Sequence, residues 1–500
     1  MNDNDIQTLD GDRSWMDGLD KSKFVFVQKS DILHDKKLDT KPVGYFKDAW
    51  RRFSKNKGSV TAFIIIIILM LFAVFGPVFS KYSVSFSDGY YNYAAPKSLI
   101  LSKIGIFTGN RKMNGVSQQN YDYFNAIPGA IVKVEKKYQV KAGAKKSYFY
   151  DLTVDTYKKV GYVYKTLSKT EYDEVRAYEK KTGKVMLYPV INRTLISDPA
   201  YENDPNVWFI HDGKGRAVYN ADGSYQNMYI ADADTQSGFK EYNEKNGGKQ
   251  YEVVVLYHDW FVYKNGFEPA FLFGVDGFGK DIFVCLAAGA RLSFLLSISV
   301  SLLNFIIGLI YGAIEGYYGG AADLIMERFV EILSEVPFVV VVTLFQIYLS
   351  VKAGPILSLL FAFVFTGWIG TSNLVRTQFY RFKGQEYVLA ARTLGARDSR
   401  LIFRHILPNA IGMIITSAVL MIPGVIMSES VLSFLGIVNL QTSDITSVGT
   451  LLSNGQGSLS TYPHVLFFPA LFISLLMICF NMFGNGLRDA FNPSLRGSDD

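Results

Sequence analysis

An uncharged apolar run from Thr61 to Phe79 constrains this chain more than any other feature of its sequence. At about 20 residues, the run is long enough to cross a hydrocarbon core of about 30 Å as one α-helix. Basic residues precede it at Lys47, Arg51, Arg52, Lys55 and Lys57. Because such residues are retained on the cytoplasmic side, the amino terminus is expected to be cytoplasmic. A cleaved signal peptide is the alternative, but the run starts at residue 61 and no small-residue cleavage site follows it.

Later apolar runs predict five more membrane spans. They lie at 287–314, 324–350, 355–378, 411–437 and 465–487. Six spans place both termini and the arginine-rich loop 379–409 in the cytoplasm, whereas the outer segment from Val438 to Val465 has no Lys or Arg. This charge asymmetry agrees with six spans. The net charge of +6 is dispersed, without a basic stripe interleaved with aromatics, and gives no reason to expect nucleic-acid binding.

The segment 81–270 contains no apolar run long enough to span a membrane. It is therefore expected to form an extracellular domain after the first span. Alternating patterns at 148–157 and 250–260, with a turn signal at 221–223, predict that this domain is β-rich. Both cysteines, Cys285 and Cys479, lie at or in predicted spans, so no disulfide stabilises the domain.

The charged segment Glu386–Asn409 lies between two predicted spans, and a loop of this length and charge is expected to be functional. Its first half predicts a short helix with one face free to bind a partner. That face is formed at helical spacing by Tyr387, Ala390, Ala391 and Leu394. Gly395 then occupies the position at which a helix ends in a left-handed residue.

The second half of this loop predicts a second helix. Asp398 or Ser399 is expected to cap its start, and Pro408 is expected to end it. The whole segment is thus predicted to be a helix-turn-helix at the membrane surface.

This pattern carries a family resemblance. Ala390-Ala391, Gly395 and Leu407-Pro408 resemble the EAA loop of ABC importer permeases. Five further motifs resemble the C-type permease subunit of oligopeptide and dipeptide importers: Trp50–Phe53, Phe273–Asp281, Glu315–Gly320, Ser428–Gly436 and Gly484–Arg496. The resemblance covers 45–80 and 270–496. The sequence departs from it at Leu389, which replaces the glutamate of the EAA motif, so no role of that carboxylate is transferred.

The resemblance implies an all-α polytopic membrane protein with six transmembrane helices, in the ABC importer type I permease fold, here with an inserted β-rich extracellular domain. The expected order of parts is a flexible cytoplasmic tail (1–44), a cytoplasmic amphipathic segment with the first span (45–80), the insertion (81–270), the permease core with five spans (271–487) and a cytoplasmic tail (488–500).

The resemblance also implies partners: a homologous permease, two cytoplasmic ATPase subunits, an extracellular substrate-binding lipoprotein and a peptide substrate, in a bacterial cell membrane. ATP and Mg²⁺ would be bound by the ATPases, so this chain is expected to hold no cofactor and not to be an enzyme. The residues assigned to ATPase coupling are Glu386, Tyr387, Ala390, Ala391, Leu394, Gly395, Asp398, Leu407 and Pro408.

Charged residues within predicted spans are costly and usually face a cavity or a partner. Four of them lie in the third predicted span and one in the fifth: Glu327, Arg328, Glu331, Glu335 and Glu429. A pathway lining or a subunit interface is one interpretation, and solvation in the headgroup region is the other. Helix breaks, either hinges or packing kinks, are expected at Pro337, Pro355, Pro423 and Gly424.

Two ligand-site patterns fail on inspection. The segment Gly274–Asp281 nearly matches a phosphate-binding loop, but Asp281 replaces the required Ser or Thr and would repel phosphate. Asp232 and Asp234 resemble the start of a calcium loop, but Gly238 falls one position late and no glutamate follows at the twelfth position. A sensor or cell-wall interaction protein is the alternative function, although no output module follows the spans.

Overall fold

The computed structural model describes residues 45–142, 145–196, 198–212, 216–229, 240–244, 248–441 and 446–491. The chain divides into two compact units, residues 1–52 and 53–500. In the first unit, the described residues belong to helix α1 (Tyr45–Lys55), in which Asp48 pairs with Arg52 one turn later. The predicted tail 1–44, the acidic pair Asp232 and Asp234, and residues 492–500 of the predicted second tail lie outside the described residues.

Helix α2 (Lys57–Phe79) corresponds to the first predicted span. It starts after Asn56, whose side-chain oxygen accepts a hydrogen bond from the Ser59 amide at 3.2 Å. Its buried side combines small residues with Ile66 and Leu69. Helix contact is close at Gly76, where a Cβ atom would lie 2.7 Å from the Cβ of Ala287. Most of its other large aliphatic side chains remain exposed, as expected for a surface that faces lipid.

The insertion that follows contains two antiparallel sheets, and its predicted β-rich character is confirmed. Its elements are β1 (Asn110–Ser117), α3 (Gln118–Asn125), β2 (Ile131–Ala142), β3 (Lys145–Asp155), β4 (Tyr162–Ser168), α4 (Lys169–Thr182), β5 (Leu187–Tyr188), β6 (Lys240–Glu244), β7 (Gly248–Leu256) and α5 (Tyr257–Asn265). One sheet has the order β1-β3-β2; the other has the order β4-β7-β5, with β6 also paired to β7.

One strand boundary in the insertion was predicted incorrectly. The strand expected over 250–260 ends at Leu256, and α5 follows directly. Tyr257, Trp260 and Phe261 recur at helical spacing and are all buried, so the helix buries them on one side. The turn expected at 221–223 is present, with Gly223 in the left-handed region at a φ of +83°.

The membrane part contains the remaining helices. They are α6 (Ile282–Tyr318), α7 (Gly320–Ser334), α8 (Phe338–Tyr348), α9 (Ser350–Ala353), α10 (Pro355–Gly367), α11 (Ile369–Lys383), α12 (Glu386–Thr393), α13 (Asp398–Arg400), α14 (Leu407–Phe434), α15 (Val448–Gln456) and α16 (His464–Phe491). Among the described residues, five stretches are long and apolar enough to span: α2, α6, α10–α11, α13–α14 and α16. The pair α7–α8 gives a sixth span if both helices are counted as one.

The third predicted span, 324–350, is not one straight helix. Helices α7 and α8 meet at 73°, with Pro337 in an extended conformation between them. Proline lacks the amide proton that a continuous helix needs, so the predicted break at Pro337 is confirmed. At Pro423 and Gly424 the helix is not interrupted, because both residues lie inside α14, which continues to Phe434. The packing kink expected there stays a prediction. Pro355 starts α10, where no amide donor is needed.

The insertion and the membrane part share a continuous aromatic core. Tyr82 stacks on Phe271 at 4.2 Å between ring centroids, and Val284 of α6 belongs to the same buried cluster. On another side, Tyr93 of the insertion stacks on Tyr462, just before α16, also at 4.2 Å. The insertion is therefore packed firmly onto the ends of the helices.

Candidate functional site

Helix α12 contains the first half of the predicted EAA loop. Glu386 lies in its first turn, where a carboxylate favours the positive end of the helix dipole. The chain then turns at Gly395, which adopts a φ of +83°, as the sequence predicted. No atom lies within 4 Å of a Cβ built there, so the glycine is needed for its backbone conformation and not for close approach.

The exposed face of α12 differs from the predicted face by one residue. Tyr387, Ala390 and Leu394 are exposed, and Leu394 exposes 88% of its surface. Ala391, predicted on the same face, is only half-exposed and packs against the chain's own apolar cluster. Val388 is fully buried in that cluster and anchors the helix. The surface left for a partner is therefore smaller than expected.

Asp398 does not cap the second helix of the loop. The capping position belongs to Arg397, and no side chain caps the helix there. Instead, the Asp398 carboxylate accepts a hydrogen bond of 2.5 Å from the hydroxyl of Tyr317, at the end of α6. Ser399 is exposed. Asp398 thus bonds the loop to a membrane helix and does not cap a helix.

Pro408 does not end the second helix of the loop. It occupies the first turn of α14, directly after a π-helical stretch, Leu401–Ile406. The Leu407 amide donates to the Ile402 carbonyl, five residues back, so the helix is widened just before the proline. Leu407 is half-buried and packs on the same cluster as Val388. The loop therefore continues into the membrane as one helix.

Arg376 of α11 lies among three carboxylates, an arrangement that the sequence did not reveal. Its Nε lies 2.7 Å from an oxygen of Asp323 and 3.5 Å from an oxygen of Glu315, and its Nη1 lies 3.2 Å from Glu327. The Tyr380 hydroxyl also donates to Asp323, at 2.7 Å. Glu315 is fully buried. This cluster ties together α6, α7 and α11 close to the start of the loop.

The other acidic residues predicted for a pathway or interface are divided between surface and interior. Arg328 pairs with Glu331 on the exposed side of α7, and Glu335 is exposed at the end of the same helix. Glu429 of α14 is fully buried and accepts hydrogen bonds from Ser293 at 3.1 Å and Ser433 at 3.0 Å. Glu429 therefore holds α14 to α6 from within the chain.

The loop Gly274–Asp281 is folded in a way that disfavours phosphate. The Asp276 carboxylate accepts hydrogen bonds from the amides of Phe278 and Lys280, both at 2.9 Å. Asp281 accepts from the Phe283 amide at 2.9 Å and caps α6, and burial raises its pKa to about 7. Amides that a phosphate would need are already bound to carboxylates. Within the described ranges, no group of His, Cys, Asp or Glu side chains is arranged to hold a metal ion.

Sequence reasoning missed Glu315, Asp323 and Arg376 as a group. In the sequence, Glu315 stands out only as the first residue of a family motif, and Arg376 only as a basic residue near the end of the predicted span 355–378. A charged residue at the end of each of two predicted spans was the available signal, but the sequence gives no pairing between them.

Comparison with known proteins gives two matching family models. The model described as binding-protein-dependent transport system inner membrane component matches residues 304–497. The model of the N-terminal TM domain of oligopeptide transport permease C matches residues 44–96. Residues 97–303, which include most of the insertion, lie between the two matches.

Individual relatives agree with these models. The oligopeptide transport system permease protein OppC of Bacillus subtilis (strain 168) is 43% identical over 224 residues, covering 45% of this chain and 72% of that protein. The dipeptide transport system permease protein DppC of the same organism is 42% identical over 225 residues, covering 45% and 69%. An inward-facing structure of the MetNI methionine ABC transporter matches 42% of this chain and 96% of its own, at 16% identity and a TM-score of 0.34.

The two Bacillus relatives are each matched over more than two thirds of their length, at well above 30% identity. The described part of the chain also carries the apolar helices that a membrane subunit requires. The chain therefore belongs to the family of binding-protein-dependent transport system inner membrane components.

Proposed function

We propose that this chain is one of two membrane permease subunits of an ATP-driven importer for oligopeptides or dipeptides. The names of the two Bacillus relatives support this class of substrate. In this proposal, a homologous permease completes the translocation path, and an extracellular binding lipoprotein delivers the peptide. Two ATPase subunits bind ATP and Mg²⁺ on the cytoplasmic side of a bacterial plasma membrane, where both termini of this chain lie.

The exposed face of α12 is the observation that carries the coupling part of this proposal. Val388 anchors the helix from below, while Tyr387, Ala390 and Leu394 remain exposed. Large exposed apolar side chains on a charged loop are typical of a protein interface. We assign this face to the ATPase.

Movement of the loop would be transmitted to the spans through its buried side. Val388 packs in one cluster with Tyr317 of α6 and Phe379 of α11. The bond from Tyr317 to Asp398 adds a polar link to α6. ATPase closure would therefore shift the ends of α6 and α11 and bias the equilibrium between inward-open and outward-open states.

Helix α7 is assigned to the path or to the interface with the second permease. Its only fully buried residue among 15 is Val330. Its exposed side carries Arg328 and Glu331, and Glu335 follows directly after the helix; these charges would be costly against lipid. A partner protein or a water-filled path satisfies these charges, and Glu327 extends the same stripe towards Arg376.

A pair of matched substitutions tests the coupling face. Leu394→Glu and Leu389→Glu each place a carboxylate on an exposed leucine, one at the carboxyl end of α12 and one in its middle, roughly 140° apart around the axis. We expect Leu394→Glu to abolish co-purification of the ATPases and ATP-driven peptide uptake in vesicles, because the charge would be buried unpaired. Leu389→Glu, which restores the family's residue, is expected to be tolerated.

Membrane insertion and peptide capture by the binding protein serve as controls, and both should be unchanged in the two variants. If Leu394→Glu retained the ATPases while Leu389→Glu lost them, the opposite face of α12 would be the docking face. Normal attachment and uptake in both variants would contradict the assignment of this loop to coupling.

A further inference from the structure

A short loop of the insertion, residues 97–108, is closed at its base and rigid in construction. Lys97 and Thr108 form an antiparallel bridge, and the Ser98 amide donates to the Phe107 carbonyl at 2.8 Å. The Lys97 amide donates to the Phe271 carbonyl at 2.8 Å and fixes the loop to the insertion's aromatic core. The loop is thus a fixed projection.

The tip of this loop is apolar and unburied. Ile100 exposes 80% of its surface and Ile104 exposes 70%, with Leu99 and Ile106 also exposed. Surface loops are usually polar, and a rigid projection with four exposed aliphatic side chains would be unfavourable in water. We therefore expect the tip to contact another apolar surface or phase.

The membrane around the end of α2 is the apolar phase next to the tip. Helix α2 ends at Val78 and Phe79, and Phe79 exposes 82% of its surface in the lipid-facing part of the chain. Phe79, Leu99 and Ile100 border the same cleft, so the tip continues the apolar surface of the first span. This continuity distinguishes the tip from apolar residues elsewhere on the insertion.

The cleft beneath the tip is basic at its rim. It has a volume of about 290 Å³ and is lined by Phe79, Phe267, Lys81 and Lys97 among others. The Nζ of Lys81 lies 4.5 Å from the centroid of the Phe267 ring, and the Nζ of Lys97 lies 4.6 Å from that of Tyr157. Within the described ranges, neither ammonium forms an ion pair with a carboxylate.

Two carboxylates, Glu268 and Asp281, also line the cleft. Glu268 lies 2.9 Å from Nε2 of His258. Asp281 is buried, accepts hydrogen bonds from the Ser80 hydroxyl and the Phe283 amide, and has its pKa raised to about 7 by burial. At the rim, the two lysines therefore outnumber the one accessible carboxylate, that of Glu268, whose side chain is half-exposed.

We propose that the 97–108 loop inserts its tip into the leaflet around the carboxyl end of α2, and that the cleft binds the headgroup of one anionic phospholipid between Lys81 and Lys97. The acyl chains of that lipid lie against Phe79, Leu99 and Ile100.

A probe at the tip tests the membrane contact. The full chain, in nanodiscs of phosphatidylcholine with or without phosphatidylglycerol, carries an environment-sensitive fluorophore at Ile100→Cys; Cys285 and Cys479 are buried and remain in place. We expect a blue-shifted emission that is quenched by lipids brominated near the headgroup. The same fluorophore at Val132→Cys, an exposed aliphatic position on β2, is expected to be unquenched. Equal emission and quenching at the two positions would overturn the insertion of the tip.

A second measurement tests the headgroup site with a photoactivatable phosphatidylglycerol. Each lysine near an anionic lipid surface contributes about fivefold in affinity, so the double variant Lys81→Ser/Lys97→Ser should lose labelling by roughly 25-fold. A matched double variant, Lys112→Ser/Lys169→Ser, should label normally. Unchanged labelling of the first variant would contradict the site. Displacement of the lipid by millimolar glycerol phosphate would assign the cleft to free phosphate esters and overturn the lipid proposal.

Discussion

The two ends of helix α6 are held by different forces. At its start, Asp281 is buried and caps the helix, and Val284 packs in one aromatic cluster with Tyr82 and Phe271. At its other end, Tyr317 also packs in an apolar cluster, and charged and polar bonds are added to it, from Glu315 to Arg376 and from Tyr317 to Asp398. Apolar packing and a helix cap hold the first end, whereas ion pairs contribute at the second.

This difference indicates where the chain can rearrange. An aromatic core is packed at near-crystalline density and has no alternative partners without opening a cavity. The pairs of Arg376 with Asp323 and Glu327 are partly accessible to water, contribute about 0–1 kcal/mol each, and can be exchanged for other pairs or for water. We therefore expect movement at the Tyr318 end of α6 and rigidity at the Ile282 end, beneath the insertion.

The largest effect is expected from Arg376→Ala, which would remove the ion pairs at the Tyr318 end of α6. The substitution leaves the buried Glu315 without its counter-ion, at a cost of about 3 kcal/mol in the free energy of unfolding. Thermal unfolding in detergent measures the loss. Arg381→Ala, on the exposed side of the same helix, is the control and should have little effect. Partial rescue by Glu315→Gln is expected, and its absence would show that the arginine does not act through this carboxylate.

At the rigid end of α6, Asp281 makes the stability of the chain depend on pH. Because burial raises the pKa of Asp281 to about 7, the folded chain keeps a proton that the unfolded chain releases above about pH 4. Its contribution to stability is therefore lost as the pH rises from about 4 to about 7. Asp281→Asn should remove this slope, worth about 2 kcal/mol between about pH 5 and about pH 7. Parallel pH profiles for the variant and the wild type would contradict the assignment to Asp281.

At the charged end, Gly395→Val tests whether coupling needs the left-handed turn. A β-branched residue at a φ of +83° costs about 1–2 kcal/mol locally. We expect ATPase co-purification to fall while membrane insertion is retained. Gly384→Val is the matched control: this glycine has a φ of −91° and, like Gly395, has no atom within 4 Å of a built Cβ. Equal losses in both variants would show that backbone handedness is irrelevant.

The smallest effect is expected at the second contact of the insertion with the spans. Tyr462→Ala removes a ring that stacks on Tyr93 and lies under the Arg111 guanidinium, 4.4 Å from its centroid. The loss should be about 0.5–1.5 kcal/mol, read as faster proteolysis of the insertion in the folded protein. Tyr462→Phe keeps the ring and should behave as wild type. An unchanged cleavage rate in Tyr462→Ala would mean that the aromatic core alone fixes the insertion.

Local patterns in the sequence predicted the elements well, and long-range partners poorly. The run Thr61–Phe79 and the turn at Gly395 were predictable because length, hydropathy and backbone sterics act within a few residues. The bonds of Arg376 to Asp323 and of Tyr317 to Asp398 join residues 53 and 81 positions apart. Nothing in a single sequence pairs such residues, so Asp398 was read as a helix cap.

The prediction of the exposed face of α12 was nearly correct, because helical spacing is a local pattern. Helical spacing identified Tyr387, Ala390 and Leu394. The side of the helix that packs against the chain's interior is set by Val388, which lies in the cluster around Phe379, and this contact is not readable from spacing. Pro408 was misread because the sequence rule for proline takes no account of a preceding π-helical stretch.

The absence of a joint at Pro408 has a mechanical consequence. Asp398–Phe434 forms one helix of 37 residues, about 55 Å long by its rise per residue. With one end held, a tilt of about 5° displaces the other end by about 5 Å. A motion of that size exceeds the diameter of a water molecule, so a small angular change at the membrane surface is large enough to open or close a hydrated gap at the far end of the same helix.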